Sequence, residues 1–359
     1  MAGETRIFGG HIIMFILECL RGVGLSGTDA MTVAMRMLEA DYSGADAHGV
    51  FRLPQYVRRI KAGGINPHPK ITVTRTAPGT AMVDGDNGMG HLVMAQVVKC
   101  AVEIAKETGV AWVGARRSNH AGAAGVYAAD AASNDVVAIY SVVANANHMP
   151  MWGGAENLLG TNPLAIAIPT GEEPLVVLDI ATTVVSYGTV KAYKLRGKPM
   201  PEGWMVNPKD GKPITDSARS AEGLLLPIGG YKGAGLALVL GLLAGTLNGA
   251  AFGRDVVDFN NNDTDECDTG HFMIALDISR FMPLDDFKAE TDRQLSELRE
   301  SKRLPGVDAI YFPGEQRAKR RSDRERYGVP FADEVIAMLD KLADEMNIVK
   351  FSQRVTGAD

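Results

Sequence analysis

The stretch Ala47-His48-Gly49-Val50-Phe51-Arg52 sets an imidazole four residues before a guanidinium. A histidine trades a proton near neutral pH. An arginine grips a carboxylate with two parallel hydrogen bonds. The pair suits acid–base work on a 2-hydroxy or 2-keto acid. A second imidazole, His120, stands in the polar loop Arg116–Gly125, just past the apolar run Val110–Ala115. Ligands gather at such strand ends in open α/β sheets. Asp179 closes another apolar run, Leu175–Ile180, and Ala181-Thr182-Thr183 follow it. Small residues there let backbone amides and hydroxyls reach a phosphate or ribose. Gly229-Gly230-Tyr231-Lys232-Gly233 puts a lysine in a glycine-rich helix start, the form of an anion or cofactor grip. Each stretch also has a plainer reading: an exposed helix start at His48 and Arg52, a loop-capping His120, a solvated Lys232.

Missing motifs narrow the chemistry. No G-x-G-x-x-G follows a strand, and there is no P-loop, G-x-S-x-G elbow, H-E-x-x-H or C-x-x-C. The acidic run Asn260–Asp268 lacks the glycine and closing glutamate of a calcium loop, so no metal site is expected. The groups that remain favour proton transfer coupled to an external redox cofactor. A net charge of -6 argues against nucleic acid as a partner. Cys19, Cys100 and Cys267 form neither a metal spacing nor an even disulfide set, which points to a reducing, cytoplasmic setting. The apolar run His11–Leu20 is interrupted by Glu18 and reads as a helix face rather than a secretory signal. Ala234–Leu247 is too short and glycine-rich to span a membrane and reads as a buried core helix.

The elements that must position these groups follow from periodicity. Two helices fill residues 8–47, with Ser26 or Thr28 capping the second. A third runs from Val50 to Lys61, with Pro54 in its first turn and Gly63-Gly64 ending it. Ile71–Arg75 and Ala81–Asp84 alternate as strands, and a helix from His91 to Glu107 leads to the Val110–Ala115 strand. Strand–helix–strand order predicts an α/β core. A helix over Val126–Ser133 precedes strands at Val136–Val143, Leu164–Ile168 and Leu175–Ile180. Pro199–Ser217 is a polar excursion around Trp204, then a strand at His271–Asp277 and helices at Phe287–Ser301, Arg317–Arg326 and Phe331–Asn347 close the chain. The expected division is an N-terminal helical region (1–75), an α/β core (76–300) and C-terminal helices (301–359).

Taken together, these stretches resemble the malate/L-lactate dehydrogenase family, whose nicotinamide-binding fold is not the Rossmann one. Further matching stretches are Ser118-Asn119-His120-Ala121-Gly122, Trp152-Gly153-Gly154, Gly160-Thr161-Asn162-Pro163-Leu164 and Pro313-Gly314-Glu315. The resemblance runs from about residue 8 to 347. It implies a mixed-sheet α/β fold and hydride transfer between NAD, or NADP, and a small 2-hydroxy or 2-keto acid of malate, lactate or ureidoglycolate type. Reduction of a cyclic imine or a diketogulonate-type substrate is the enzymatic alternative, and a nucleotide-sensing binding protein the non-enzymatic one. By position, His48 and His120 each match a histidine that serves as the acid/base in different members, and Arg52, Thr161 and Asn162 are placed on the substrate. The resemblance assigns Asp179, Ile180, Ala181, Thr182, Gly188, Tyr231, Lys232, Gly314 and Glu315 to the cofactor. It also implies a homodimer with a shared active site, a contact that the excursion around Trp204 suits. Two departures mark where contacts differ: Ala47 stands where many members have Ser, and Ala144-Asn145 where some have Ser-Asp.

Overall fold

The computed structural model describes residues 5–354. Its centre is a seven-stranded mixed sheet. In chain order the strands are β1 (Thr5–Ile7), β2 (Thr72–Ala77), β3 (Thr80–Asp84), β4 (Val110–Ser118), β5 (Val136–Val142), β6 (Leu164–Ile168), β7 (Val176–Ile180), β8 (Met205–Val206), β9 (Leu224–Leu225), β10 (Thr269–Asp277) and β11 (Val329–Phe331). The helices are α1 (Gly9–Gly22), α2 (Gly27–Tyr42), α3 (Leu53–Ala62), α4 (Gly90–Thr108), α5 (Ala124–Ala132), α6 (Tyr187–Leu195), α7 (Tyr231–Ala244), α8 (Leu284–Glu300), α9 (Glu315–Tyr327) and α10 (Asp333–Met346).

The large sheet has the order β2-β3-β4-β10-β5-β6-β7. Only β3 and β4 pair in parallel, joined by the α4 crossover; every other neighbouring pair is antiparallel. This confirms the mixed-sheet α/β class. One geometric result matters for the site. β4 and β5 both run antiparallel to β10 and so end at the same edge of the sheet. β10 and β6 begin at that edge and β7 ends there. Five strand ends therefore open toward one place.

Residue size explains the layers. Ala111, Ala115, Ala138, Ala165, Ala167 and Ala275 line the face under α4 and α5, and their small side chains let the helices approach closely. Period-2 alternation turns Phe272 and Ile274 to the opposite face, against Leu240 and Ala244 of α7. A separate apolar cluster joins Ile12, Phe15 and Ile16 of α1 to α2, α3 and Leu339 of α10.

Several boundaries differ from the sequence reading. Ser26, not Thr28, caps α2: its Oγ accepts from the Asp29 amide at 3.1 Å. The third helix begins at Leu53, after two single 3-10 turns at Asp46–His48 and Val50–Arg52. Gly49 is required by space rather than by a left-handed turn: its φ is -88°, and a Cβ there would meet the Asp41 carboxyl. α6 was not foreseen. Nor were β1 and β11, which pair with each other; β11 takes the start of the segment expected as the last helix. The α7 segment is not fully buried. Ala237, Leu240 and Ala244 pack inward, while Leu236, Val239 and Leu242 are 41–53% exposed, with only one side of the helix laid on the sheet. Trp204 packs edge-on against Tyr193 of its own chain at 4.9 Å.

Candidate active site

A cleft of about 130 Å³ opens at the shared sheet edge. His48 and Arg52 reach it from the 3-10 turns, His120 from the loop after β4, and Ala144, Asn145 and His148 from the segment after β5. Thr161 and Pro163 come from the entry to β6, and Tyr187, Gly188 and Lys191 from α6. Phe259 and Asn260 close it. Three imidazoles and a guanidinium, from three separate segments of the chain, thus share one small cleft.

His120 is the best-oriented group. Its loop is pinned by Asn119, whose buried amide donates to Asn87 and Gly88 carbonyls at 3.0 Å. Gly122 adopts φ +79°, a conformation that favours glycine. His120 Nδ1 lies 2.6 Å from the Tyr56 hydroxyl and 3.3 Å from the Gly122 amide, from which it accepts in the Nε2–H tautomer. Its ring stacks on Phe259 at 5.0 Å and lies parallel to His48 at 5.7 Å, with 8° between the planes. Nε2 has no protein hydrogen-bond partner among the described residues. Burial, aided by Arg52, holds the ring well below the usual histidine range. His48 is lowered to about 4 by burial and then by Arg52. Both rings are therefore neutral at pH 7 in the free protein.

Arg52 is partly satisfied. Nε donates to the Ala47 carbonyl and Nη1 to Gln55 Oε1, both at 2.9 Å, and Nη1 lies 3.5 Å from Asn260 Oδ1. Among the described residues no carboxylate lies within ion-pair distance. A desolvated guanidinium without an acidic partner is a ready carboxylate site.

The remaining expected residues separate. Asn162 does not face the cleft: it is fully buried, accepting from the Ala144 amide at 3.0 Å and donating to the Ala237 carbonyl at 2.7 Å. Thr182 is likewise buried, and its amide and hydroxyl both donate to the Thr161 carbonyl, so its polar groups are committed to the fold. Ile180 and Ala181 stay partly open beside it. Asp179 is exposed on the edge strand, although its side chain is tied down: Oδ2 accepts from the Gly125 amide at 2.8 Å and lies 3.9 Å from Arg317. Gly314 lines a second cavity, of about 750 Å³, with Arg36, Val177 and Arg317. Tyr231 and Lys232 line neither cavity. Both are exposed at the start of α7, whose loop is tied to β7 by the Ile228 amide and the Thr182 carbonyl at 3.0 Å.

Beside β7, the partly open Ile180 and Ala181 and the Gly314–Glu315 turn leave surface and polar capacity that a nicotinamide cofactor would use. Glu315 Oε1 bonds Lys319 at 3.1 Å, whereas Oε2 is buried without a partner among the described residues and has the capacity to accept from a sugar hydroxyl. A Cβ on Gly314 would come within 2.4 Å of the Leu175 carbonyl, so only glycine lets this backbone approach β7.

Sequence reading missed Tyr56, His148, Tyr187, Lys191 and Asn260. Tyr56 lies one helical turn beyond Arg52, a spacing that could have flagged it. His148 stacks on Tyr187 at 3.8 Å and is lowered by burial to about 4. No spacing signal marks the others.

Comparison with known proteins agrees with this geometry. The family model described as malate/L-lactate dehydrogenase matches residues 11–340. The malate dehydrogenase of Pyrococcus horikoshii is 36% identical, covering 96% of each chain. The L-sulfolactate dehydrogenase of Methanocaldococcus jannaschii is 36% identical, over 86% of this chain and 88% of the relative. The crystal structure of malate dehydrogenase from Entamoeba histolytica superposes with a TM-score of 0.91 at 30% identity, covering 97% of this chain and 99% of that one. Relatives named for NAD(+) and for NADP(+) both occur. Matched over nearly its whole length in sequence and in fold, the chain belongs to the malate/L-lactate dehydrogenase family of NAD(P)-dependent oxidoreductases.

Proposed function

We propose that the cleft interconverts a small 2-hydroxy acid, of malate, lactate or ureidoglycolate type, with its 2-keto acid. The observation that carries this is Arg52, desolvated and without an acidic partner, beside the parallel His48–His120 pair. Arg52 takes the C1 carboxylate, and Thr161 borders the same space. The nicotinamide, when bound, supplies or accepts the hydride at C2. His120 handles the proton on the C2 oxygen. In oxidation its neutral ring accepts the hydroxyl proton at Nε2, with Nδ1–H donating to Tyr56. In reduction Tyr56 donates instead, and Nε2–H faces the keto oxygen. The phenol hydroxyl serves both directions because it donates and accepts. His48, whose ring has no protein hydrogen bond among the described residues, orients the substrate or shares the proton.

Asp179, Ile180, Ala181, Gly188, Tyr231, Lys232, Gly314 and Glu315 would hold the cofactor. We favour NAD, with NADP as the alternative. A second copy of the chain would cover the apolar outer face of α7 and complete the site; the exposed Leu236, Val239 and Leu242 support this. Three unpaired cysteines fit a reducing cytoplasm, and no described helix is long and apolar enough to cross a membrane. The test is absorbance of reduced nicotinamide over a panel of 2-hydroxy acids, keto acids and cyclic imines with each cofactor. Turnover of 2-hydroxy acids is expected. Turnover confined to cyclic imines, or none with any member, would overturn the reading.

A further inference from the structure

Beside Arg52 stands a second cation that the hydroxy-acid chemistry does not require. Ser186 caps α6, its Oγ accepting from the Thr189 amide at 3.1 Å. The helix then carries Tyr187 and Lys191 one turn apart, both on the cleft. The Lys191 ammonium lies 5.3 Å over the Tyr187 ring and 3.0 Å from Asn260 Oδ1. That oxygen is the one approached by Arg52 Nη1 at 3.5 Å. Two cations from distant segments thus converge on one neutral amide oxygen.

Among the described residues neither cation has a carboxylate within 4 Å. The acid whose charge reaches Lys191 is Asp258. Its oxygens are already engaged by the Asn260 amide at 2.9 Å, Asn260 Nδ2 at 3.2 Å and Asn261 Nδ2 at 2.7 Å. Burial, with Arg52 adding repulsion, lowers the Lys191 ammonium from its ordinary range. Two like charges held this close in a low-dielectric cleft are unfavourable unless anionic groups balance them. A monocarboxylate placed on Arg52 leaves Lys191 facing only an amide dipole. A second anionic group at the far end of the substrate neutralises both.

We infer that Lys191, with Asn260 as its spacer from Arg52, is a specificity-determining residue that selects 2-hydroxy acids bearing a second anionic group, a carboxylate or sulfonate. The inference rests on the hydroxy-acid reading above. Its test compares kcat/KM for racemic malate and racemic lactate at saturating cofactor in the wild type, Lys191→Met and Lys191→Arg. The wild type prefers malate. In Lys191→Met the malate-to-lactate ratio falls roughly 10–100-fold, the worth of a hydrogen bond to a buried charge. That fall is carried mainly by KM, and Lys191→Arg restores most of it. Equal preference in the wild type, or equal loss for both substrates in Lys191→Met, overturns the inference while leaving the hydroxy-acid reading intact. If no 2-hydroxy acid is turned over, that reading fails instead, and calorimetry with malonate against acetate decides the dianion site. Tighter binding of malonate that is lost in Lys191→Met supports it; equal binding overturns it.

Discussion

Two tyrosine–histidine pairs among the described residues are joined by a hydrogen bond, and they are built alike. Tyr56 meets His120 Nδ1 at 2.6 Å, and Tyr140 meets His271 Nδ1 at 2.9 Å. Desolvation lowers both, the fully buried His271 to about 3 and the half-buried His120 well below its usual range. They differ at the other nitrogen. His271 Nε2 bonds Ser118 Oγ at 3.0 Å, so that ring is saturated and serves as a polar pin between β10 and β4. Among the described residues His120 keeps Nε2 without a protein partner and stands beside an arginine that lacks an acid. Residue type and the tyrosine partner do not separate the two; unspent hydrogen-bonding capacity facing a cleft does.

The sharpest way to break this comparison is to delete each ring. His120→Ala should lower kcat by roughly 10²–10⁴-fold, the usual worth of a positioned acid/base. His271→Ala should leave the Tyr140 hydroxyl unpartnered and take one hydrogen bond from Ser118, lowering the melting temperature while kcat per folded molecule stays within a few-fold. Comparable kcat losses in both variants, measured at saturating cofactor, would erase the distinction. Next in size, Arg52→Met should reduce kcat/KM by roughly 10–100-fold, mostly through KM, as loss of a charged hydrogen bond predicts. An unchanged KM would remove Arg52 from the substrate. Smaller still, Tyr56→Phe should cost about 5–10-fold in kcat, consistent with one hydrogen bond, and should move the pH profile. A profile identical to the wild type would reduce Tyr56 to packing.

A pH prediction takes in His271 together with three other lowered rings. His48 and His148 are lowered to about 4, and His91 and His271 to about 3, against 6.5 in the unfolded chain. Below pH 6.5 the unfolded state binds more protons at these sites, so stability falls as pH falls toward 4. Each ring contributes about 1 kcal/mol of loss per pH unit across that window. Denaturant midpoints measured from pH 7 to 4.5 should decline steeply. A flat series would mean that these imidazoles are not held neutral. Bound carboxylate opposes the lowering at His120 and His48, so the acidic limb of kcat should lie above that of kcat/KM.

Much of the site was legible along the chain because its parts are local. His48 and Arg52 are one turn apart, and Asn119-His120 follows a strand whose apolar run is unmistakable. Helix ends were legible for the same reason: Gly63 and Gly109 end α3 and α4 at φ +90° and +89°, as glycine permits. Less legible were groups whose role depends on what lies opposite. Asn162 and Thr182 look like ligand groups in sequence, yet their hydrogen bonds are spent on Ala144, Ala237 and Thr161. Lys191 sits in a helix that the apolar pattern does not announce. The outer face of α7 read as core because apolar composition reports burial without saying what covers the surface.

By itself the amino-acid sequence determined the α/β class, the caps and turns, and which residue types were available for acid–base and carboxylate chemistry. Those follow from propensity, periodicity and side-chain chemistry, all short-range. Tertiary structure alone decided that β10, more than a hundred residues after β5, enters between β4 and β5. That insertion brings the ends of β4 and β5 to one edge. It places His120 beside His48 and Arg52, and ties His271 off against Ser118. Strand order depends on contacts between distant segments, which no local pattern encodes, and so the cleft exists only in the folded chain.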